Sequence, residues 1–238
     1  GLYSDEVPFF SGTHIFKADE KVIEKLSEYK SLLSNSKLQH SFPHSWRSKA
    51  PLIYRATSQW FISMEKKDLR KKALKAIDET EFYPSKGKER IKSMIETRPD
   101  WCVSRQRVWG VPLPIFVSKK TGEVLVDDKI FENIAKIYEK EGSDCWFSDD
   151  PQKFLGETYK AQDYEKLSDI VEVWFDSGST HSFVLEKRED LKWPASMYLE
   201  GSDQHRGWFH SSLLESCGTR GRAPFESILS HGFVVDGK

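Results

Sequence analysis

A short apolar segment, a glycine turn and a helical pattern follow one another near the C-terminal end, and this order constrains the fold most. Residues 197–199 (Met-Tyr-Leu) predict a buried strand that stops at Gly201. Ser202 or Asp203 is the expected N-cap of the next helix, because a side-chain oxygen there can accept from the free N–H groups of the first turn. The apolar positions of that helix then recur at helical spacing, at Phe209, Leu213 and Leu214.

The turn between this strand and this helix is crowded with polar functional groups. They are Glu200, Asp203, Gln204, His205 and Arg206. In open α/β sheets a strand, a tight glycine turn and a helix N-terminus together form the place where phosphorylated ligands bind. A capped helix with a solvated polar start is the structural alternative, and this stretch by itself does not decide between the two.

A second strand–turn–helix unit precedes the first, and a further strand follows it. Residues 170–173 predict a strand, Asp176 to Gly178 a turn, and Ser179 or Thr180 the start of a helix. Residues 228–235 predict the last strand. This order predicts a βαβαβ half-sheet with parallel strands.

Composition limits the class of protein. With 238 residues the chain can form one large domain or two ordinary ones. No apolar run approaches the roughly 20 residues that cross a bilayer, and a net charge of −1 gives no overall attraction to nucleic acid. The three cysteines are far apart, which suits the reducing cytosol; they are Cys102, Cys145 and Cys217.

The N-terminal two thirds of the chain carries patterns of amphipathic helices. Asp19 is the expected N-cap of a first amphipathic helix, and residues 66–98 predict two helices with basic faces. Those faces are either simply solvated or contact a phosphate backbone.

Arg105 and Arg107 could hold a carboxylate or phosphate in a forked way. His40 and His44 stand four residues apart, but two further metal ligands would be needed, so a hydrogen-bonded pair is favoured.

Several of these segments resemble one known family. Residues 100–112 resemble the insertion-domain motif shared by isoleucyl-, valyl- and leucyl-tRNA synthetases. Residues 173–181 and 198–209 look like the isoleucyl family specifically, since the valyl and leucyl families differ at both places. Further matching segments lie at residues 40–47, 54–61, 221–224 and 230–237. The resemblance therefore covers nearly the whole chain.

The resemblance implies an internal fragment of a class I synthetase with an α/β fold. Residues 1–35 would be the C-terminal tail of the editing insertion, and residues 36–165 a mixed α+β connective region. Residues 166–238 would be the second half of a Rossmann-type parallel catalytic sheet. The signature motifs that handle the triphosphate of ATP would lie outside the chain, so we expect no catalytic residue within it and no activity from it alone.

The resemblance also implies binding roles, residue by residue. Glu200 and Gly201 would bind the aminoacyl-adenylate, Asp203 the ribose hydroxyls, and Gln204 the amino-acid end near its α-amino group. Trp174 and Trp208 would form the walls of the isoleucine pocket, because flat rigid faces suit a branched apolar group. The adenine would lie beside the end of the last strand, at His231 and Gly232. Ordinary core packing is the alternative for both tryptophans.

The implied partners are isoleucine, ATP with Mg²⁺ and tRNA(Ile), in a cytoplasmic monomer with no membrane contact. Many members of the family carry Cys-x-x-Cys where this chain has Ser45 and Ser48, which puts a zinc ion there in doubt. Two alternatives stay open at this point. One is a valyl- or leucyl-type synthetase, and the other is a non-catalytic tRNA-binding module that uses the basic helices of residues 66–98.

Overall fold

The computed structural model describes residues 1–237. The chain divides into two compact units, Gly1–Ser58 and the part from Gln59 onward. The parallel sheet and both hydrophobic cores belong to the second unit. Among the described residues, no helix combines the length and the apolar character that crossing a membrane requires.

The first unit contains helix α1 (Ala18–Glu28), preceded by a 3₁₀ turn at Ile15–Lys17. The turn begins at His14, whose Nδ1 accepts from the backbone N–H two residues further on over 3.3 Å. The prediction of Asp19 as N-cap is wrong, because the 3₁₀ turn continues directly into the helix and leaves Asp19 within its first turn. Ahead of the helix, Leu2 and His14 form a single antiparallel bridge.

The second unit alternates short strands and helices along the chain. In chain order they are β1 (Phe61–Ile62), α2 (Leu69–Asp78), β2 (Glu81–Tyr83), α3 (Lys86–Glu96), β3 (Trp101–Cys102), β4 (Ser104–Arg105), β5 (Phe116–Ser118), α4 (Asp128–Glu141), α5 (Cys145–Ser148), α6 (Pro151–Leu155), β6 (Tyr164–Lys166), β7 (Ile170–Val171), α7 (Val173–Gly178), β8 (Ala195–Gly201), α8 (Trp208–Thr219) and β9 (Phe225–His231). A π-helical turn, His181–Leu185, follows α7.

Three of these strands form the parallel sheet, in the order β2-β9-β8. Helix α8 connects β8 to β9, as the apolar pattern of that region predicts, and Gly221 ends the connection with a φ of 76°. Residues Phe82, Ile228 and Tyr198 lie side by side across the three strands. Their side chains are buried, so these three residues form the sheet side of the main core.

The predicted first strand of the half-sheet is placed wrongly. Ile170 and Val171 do form a strand, but it pairs antiparallel with β4 and not with the parallel sheet. The predicted turn from Asp176 to Gly178 is also wrong, because α7 already begins at Val173. The cause is Glu172, whose carboxylate accepts from the N–H of Trp174 over 3.3 Å and so caps a helix that starts six residues before Ser179.

The main core lies between the parallel sheet and helices α2, α3 and α8. The two basic amphipathic helices form as predicted and bury their apolar stripes, with Leu69, Ala73 and Ile77 from α2 and Ile91 and Ile95 from α3. Helix α8 is buried from Phe209 to Cys217. Each fully buried leucine or phenylalanine there stabilises the fold by about 1.5–3 kcal/mol, so α8 is the central element of this core.

A second core forms around Trp146, in the region where the sequence offers only a few apolar anchors. Trp146 packs against Phe116 and Phe154, with ring centroids 5.1 and 4.9 Å away. Its Nε1–H donates to the carbonyl of Leu167 over 2.7 Å. The strand pair β5–β6 and helices α4 to α6 therefore pack as a separate cluster of their own.

Strand β8 is buried on one face only. Tyr198 points into the main core, whereas Met197 and Leu199 on the opposite face are 43% and 56% exposed. The prediction of a buried strand is therefore wrong for that second face, because side chains alternate along a strand and no described residue covers the outer side fully.

Candidate functional site

The turn from β8 to α8 brings the predicted polar residues to the carboxyl end of the parallel sheet. Strand β8 ends at Gly201, a 3₁₀ turn spans Ser202–His205, and α8 begins at Trp208. His205 holds this turn together, because its buried ring contacts the carbonyl of Ser202 through Nδ1 at 2.8 Å. Burial lowers the pKa of His205, so the ring is neutral at pH 7.

The N-cap of α8 is Gly207 and not Ser202 or Asp203, and the side chain of Gln204 satisfies the first N–H of the helix. The backbone N–H of Trp208 donates to Gln204 Oε1 over 2.9 Å. Gln204 Nε2 donates in turn to Asp203 Oδ2 over 3.1 Å. The predicted cap is wrong because the 3₁₀ turn at Ser202–His205 comes before α8, so the N-cap lies four residues after Asp203. Asp203 is therefore an exposed carboxylate that is free of the helix backbone.

Trp208 is held on two sides. Its ring stacks on Tyr198 with a centroid distance of 4.1 Å and an angle of 3°. Its Nε1–H donates to the carbonyl of Ser177 over 2.9 Å. Both contacts fix the orientation of the indole, so Trp208 presents a rigid flat surface next to the turn.

Trp174 approaches the same turn from α7. Its six-membered ring lies against Gly207, where a Cβ would come within 2.9 Å of Cη2. The indole is 42% exposed, so one side of it is open to a ligand. The core-packing alternative therefore does not describe Trp174, while Trp208 is both packed against Tyr198 and partly open.

His231 reaches the site through the register of the sheet. It pairs with Gly201 across β8 and β9, and a Cβ on Gly201 would lie 3.8 Å from His231 Cε1. Its Nδ1 lies 2.6 Å from the carbonyl of Gly232. Glu200 Oε2 accepts from the N–H of Gly201 over 3.2 Å. The carboxyl ends of two parallel strands thus bring all eight predicted site residues to one edge, counting Trp174 from α7 and Trp208 from α8.

Glu172 supports the candidate site from beneath α7, a role that the sequence patterns did not predict. It is buried and accepts from Trp101 Nε1–H over 2.6 Å. Arg105 Nη2 lies 3.5 Å from its second oxygen, which also caps α7. Glu172 therefore anchors the start of the helix that carries Trp174. An acidic residue inside an apolar strand pattern was the available signal.

Arg105 is bound within the fold, whereas a forked contact of both arginines with a ligand was predicted, and the prediction stays untested for Arg107. Arg105 Nη1 donates to the carbonyls of Cys102 and Ser104 over 3.0 and 2.7 Å. These hydrogen bonds and the contact to Glu172 engage the Arg105 guanidinium within the fold itself. Arg107 is exposed on the loop that follows.

Glu215 is a second acidic group inside the fold, on the face of α8 that meets α7. It is 8% exposed, and its Oε1 has no hydrogen-bond partner among the described residues. Burial, and then the negative charges of Asp176 and Glu172, raise its pKa to about 9. Glu215 is therefore an uncharged acid at neutral pH.

The residues at the suspected zinc position do not fit zinc. Ser45 Oγ accepts from the N–H of Ser48, and Ser48 Oγ from the N–H of Ala50, both over 3.3 Å. Serine hydroxyls are not among the usual zinc ligands. His44 uses Nδ1 for the carbonyl of Phe42 at 2.7 Å. Within residues 1–237, no group of three His, Cys, Asp or Glu side chains could hold a metal ion.

Comparison with known proteins gives one consistent answer. Residues 7–238 match the family described as tRNA synthetases class I (I, L, M and V). The isoleucine–tRNA ligase of Pelagibacter ubique (strain HTCC1062) is 80% identical over 238 residues, which cover 100% of this chain and 26% of that protein.

Two further isoleucine–tRNA ligases show the same relation. That of Laribacter hongkongensis (strain HLHK9) is 51% identical over 245 residues, covering 100% of this chain and 25% of that protein. That of Zymomonas mobilis subsp. mobilis is 54% identical over 229 residues, covering 92% of this chain and 24% of that protein. The chain spans about a quarter of the length of the curated relatives it matches. Because the family match takes in nearly every residue, the family expected from the motifs is confirmed, and the chain belongs to the class I tRNA synthetases.

Proposed function

We propose that this chain carries half of an aminoacyl-adenylate site, in a protein that activates isoleucine with ATP and transfers it to tRNA(Ile). The observation that carries the proposal is the convergence of polar and flat aromatic groups at one sheet edge. They are Glu200, Asp203, Gln204, Trp174 and Trp208. The isoleucine–tRNA ligases that are similar over the whole chain support isoleucine as the amino acid.

The parallel strands support a Rossmann-type half-sheet as the setting of the site. Strands β8 and β9 with α8 between them form a parallel unit, and such units bind ligands beyond the carboxyl ends of their strands. The division into residues 1–35, 36–165 and 166–238 stays a proposal. Strand β2 adds to the sheet from within the connective region. We further expect a cytoplasmic monomer.

We assign the nucleotide end of the site to the residues nearest β9. Asp203 is an exposed carboxylate, and a carboxylate held at a turn can accept hydrogen bonds from the two ribose hydroxyls. Glu200 lies on the same strand end and would contact the adenylate. His231 and Gly232 extend past the neighbouring strand, where the adenine would lie.

The amino-acid end of the site is assigned to the residues between α7 and α8. Gln204 Oε1 has a second lone pair beyond its bond to Trp208 N–H, and this lone pair can accept from the ammonium group of isoleucine. Trp174 and Trp208 would enclose the branched side chain. Such a pocket separates side chains that differ by one methylene by about 1–3 kcal/mol, a range for which isoleucine against valine in this enzyme class is itself a standard example.

The reaction needs placement more than proton transfer from this chain. A carboxylate oxygen of isoleucine attacks the α-phosphorus of Mg²⁺-bound ATP, the bond to the bridging oxygen breaks, and pyrophosphate leaves with the electron pair. Fixed positions for the ribose and the ammonium group bring the attacking oxygen in line with that bond. We therefore expect the 238-residue chain alone to be inactive, since it would hold the adenylate from one side only.

Replacing Asp203 with alanine in the full-length protein is expected to reduce isoleucine-dependent ATP–pyrophosphate exchange by at least about a hundredfold in kcat/KM. The physical reason is the loss of both ribose hydrogen bonds, which leaves the α-phosphorus poorly aligned. Asp190 provides a matched control, because it is an exposed aspartate whose partner is Arg188 and not the site. Asp190→Ala should keep the wild-type rate.

Two results would contradict the proposal. Wild-type protein that shows no isoleucine-dependent exchange would remove the proposed activity. Equal rates for Asp203→Ala and the wild type would remove Asp203 from the site while leaving the activity in place. Binding of tRNA with a steep salt dependence, without any exchange, would instead favour the tRNA-binding module.

A further inference from the structure

Gly207 lies where the two predicted walls of the amino-acid end meet. It is buried between the 3₁₀ turn and the first residue of α8. Its N–H donates to the carbonyl of Gln204 over 3.1 Å. Its own carbonyl accepts from the N–H groups of His210 and Ser211, both over 3.1 Å. These three bonds hold the backbone of Gly207 in place.

Two side chains occupy the space that any other residue would need at this position. A Cβ on Gly207 would lie 2.9 Å from Cη2 and 3.1 Å from Cζ3 of Trp174. It would also overlap Gln204 Oε1, the atom that accepts from Trp208 N–H. Carbon atoms in packed proteins stay about 3.5–4.0 Å apart, so these contacts exist because position 207 has no side chain.

The side chains that would give way are the ones proposed to hold isoleucine. The backbone of Gly207 is fixed, whereas the Trp174 ring and the Gln204 amide are partly exposed and can turn toward solvent. A methyl group would therefore displace the ring and draw Oε1 away from Trp208 N–H. The three atoms nearest to a Cβ at this position all belong to Gln204 and Trp174, at the amino-acid end.

We propose that Gly207 is a positioning residue for the amino-acid substrate, which sets the location of the Trp174 ring and the Gln204 carboxamide. This inference rests on the proposed function, because it assigns those two groups to the isoleucine end of the adenylate site. Gly207 touches neither isoleucine nor ATP and acts through its two neighbours.

The test is steady-state pyrophosphate exchange by the full-length protein carrying Gly207→Ala. We expect the KM for isoleucine to rise about tenfold or more, because small displacements of positioning groups have effects of this size. The KM for ATP should stay within about twofold, since the nucleotide end is untouched. The preference for isoleucine over valine should fall. A merely structural role would change both KM values together or lower the melting temperature first.

Gly218→Ala is the matched control, because a Cβ there meets only Leu69 Cδ1 at 3.7 Å, an ordinary contact distance. It should leave both KM values unchanged. Adding Trp174→Phe to Gly207→Ala removes the colliding ring atoms and should recover part of the isoleucine affinity relative to the single variant. This recovery stays measurable if the single variant is less stable.

Three results would overturn the inference. If the wild-type protein shows isoleucine-dependent exchange and Gly207→Ala has an unchanged KM for isoleucine, only the role of Gly207 fails. An equal rise of both KM values would show a structural role and overturn it in the same way. If the wild-type protein shows no such exchange, the proposed function fails and takes this inference with it.

Discussion

Gly178→Ala is expected to destabilise the 238-residue chain by about 1–3 kcal/mol, the usual cost of overpacking a filled interior. Gly178 is the last residue of α7 and faces α8. A Cβ there would lie 2.9 Å from Cδ of Glu215 and 3.0 Å from the carbonyl carbon of Ser211, and it would overlap Glu215 Oε1. The contacted atom of Ser211 is part of the backbone of α8 and cannot rotate away as a side chain can. The added methyl must therefore push α7 and α8 apart.

Urea unfolding of the purified chain, followed by tryptophan fluorescence, measures this effect. Gly218→Ala serves again as the control, because it adds a methyl to α8, the helix that Gly178 faces, without a close contact. That variant should be neutral, or more stable by up to about 1 kcal/mol, since alanine favours helix over glycine. Equal destabilisation by both substitutions would contradict the close packing of α7 on α8.

Glu215→Gln is expected to remove most of the loss of stability that the chain undergoes between pH 5 and pH 8. In the unfolded chain Glu215 ionises near 4.5, whereas in the folded chain its pKa is raised to about 9. Between these values the unfolded state releases a proton that the folded state keeps. The free energy of unfolding therefore falls by roughly 1.4 kcal/mol for each pH unit in this window and levels off above it.

The difference between wild type and Glu215→Gln isolates this group, because glutamine has nearly the same shape and no charge at any pH. The variant should match the wild type near pH 4.5 and exceed it by about 3 kcal/mol at pH 7. Asp176 and Glu172 face Glu215 in both proteins, so their contribution largely cancels. Glu226→Gln, at an exposed glutamate paired with Lys192, is the control and should show no such trend. Parallel pH profiles for wild type and Glu215→Gln would contradict an uncharged buried Glu215.

Local patterns predicted the C-terminal part of the fold well. The last strand is the exception, since β9 spans Phe225–His231 and not residues 228–235. The apolar residues of 197–199 and the helical spacing from Phe209 do correspond to β8 and α8. Hydrophobic periodicity suffices there because each element is long and buries one continuous stripe. The same holds for α2 and α3, whose stripes are buried as predicted.

Partners from distant parts of the chain could not be predicted in this way. Strand β2 has three residues, and its place in the parallel sheet depends on β9, far along the chain. Ile170 and Val171 look like a strand of the same sheet, but they pair with Ser104 and Arg105. Strands this short carry too little pattern to specify their partner.

In the candidate site, too, local patterns predicted some features and not others. The motifs predicted eight residues that lie together at one edge of the sheet. Residue type and order along the chain were sufficient to select them. The roles of individual side chains needed geometry: Gln204 rather than Asp203 accepts from the first N–H of α8, and Trp208 stacks on Tyr198. The burial of Glu215 could not be predicted, because a glutamate between a leucine and a serine on a helix is typical of an exposed position. In the structure, however, α8 is buried on all sides from Phe209 to Cys217.

Binding of a non-hydrolysable isoleucyl-adenylate analogue tests the central claim most directly. Calorimetry with the full-length protein should show binding that is at least about tenfold tighter than that of the valyl analogue, in line with one methylene of discrimination. Asp203→Ala should weaken binding of both analogues about equally, whereas Trp174→Ala should weaken the isoleucyl analogue more than the valyl one. Wild-type affinity in both variants would contradict the account, because the turn after β8 and the ring of Trp174 would then not form the adenylate site.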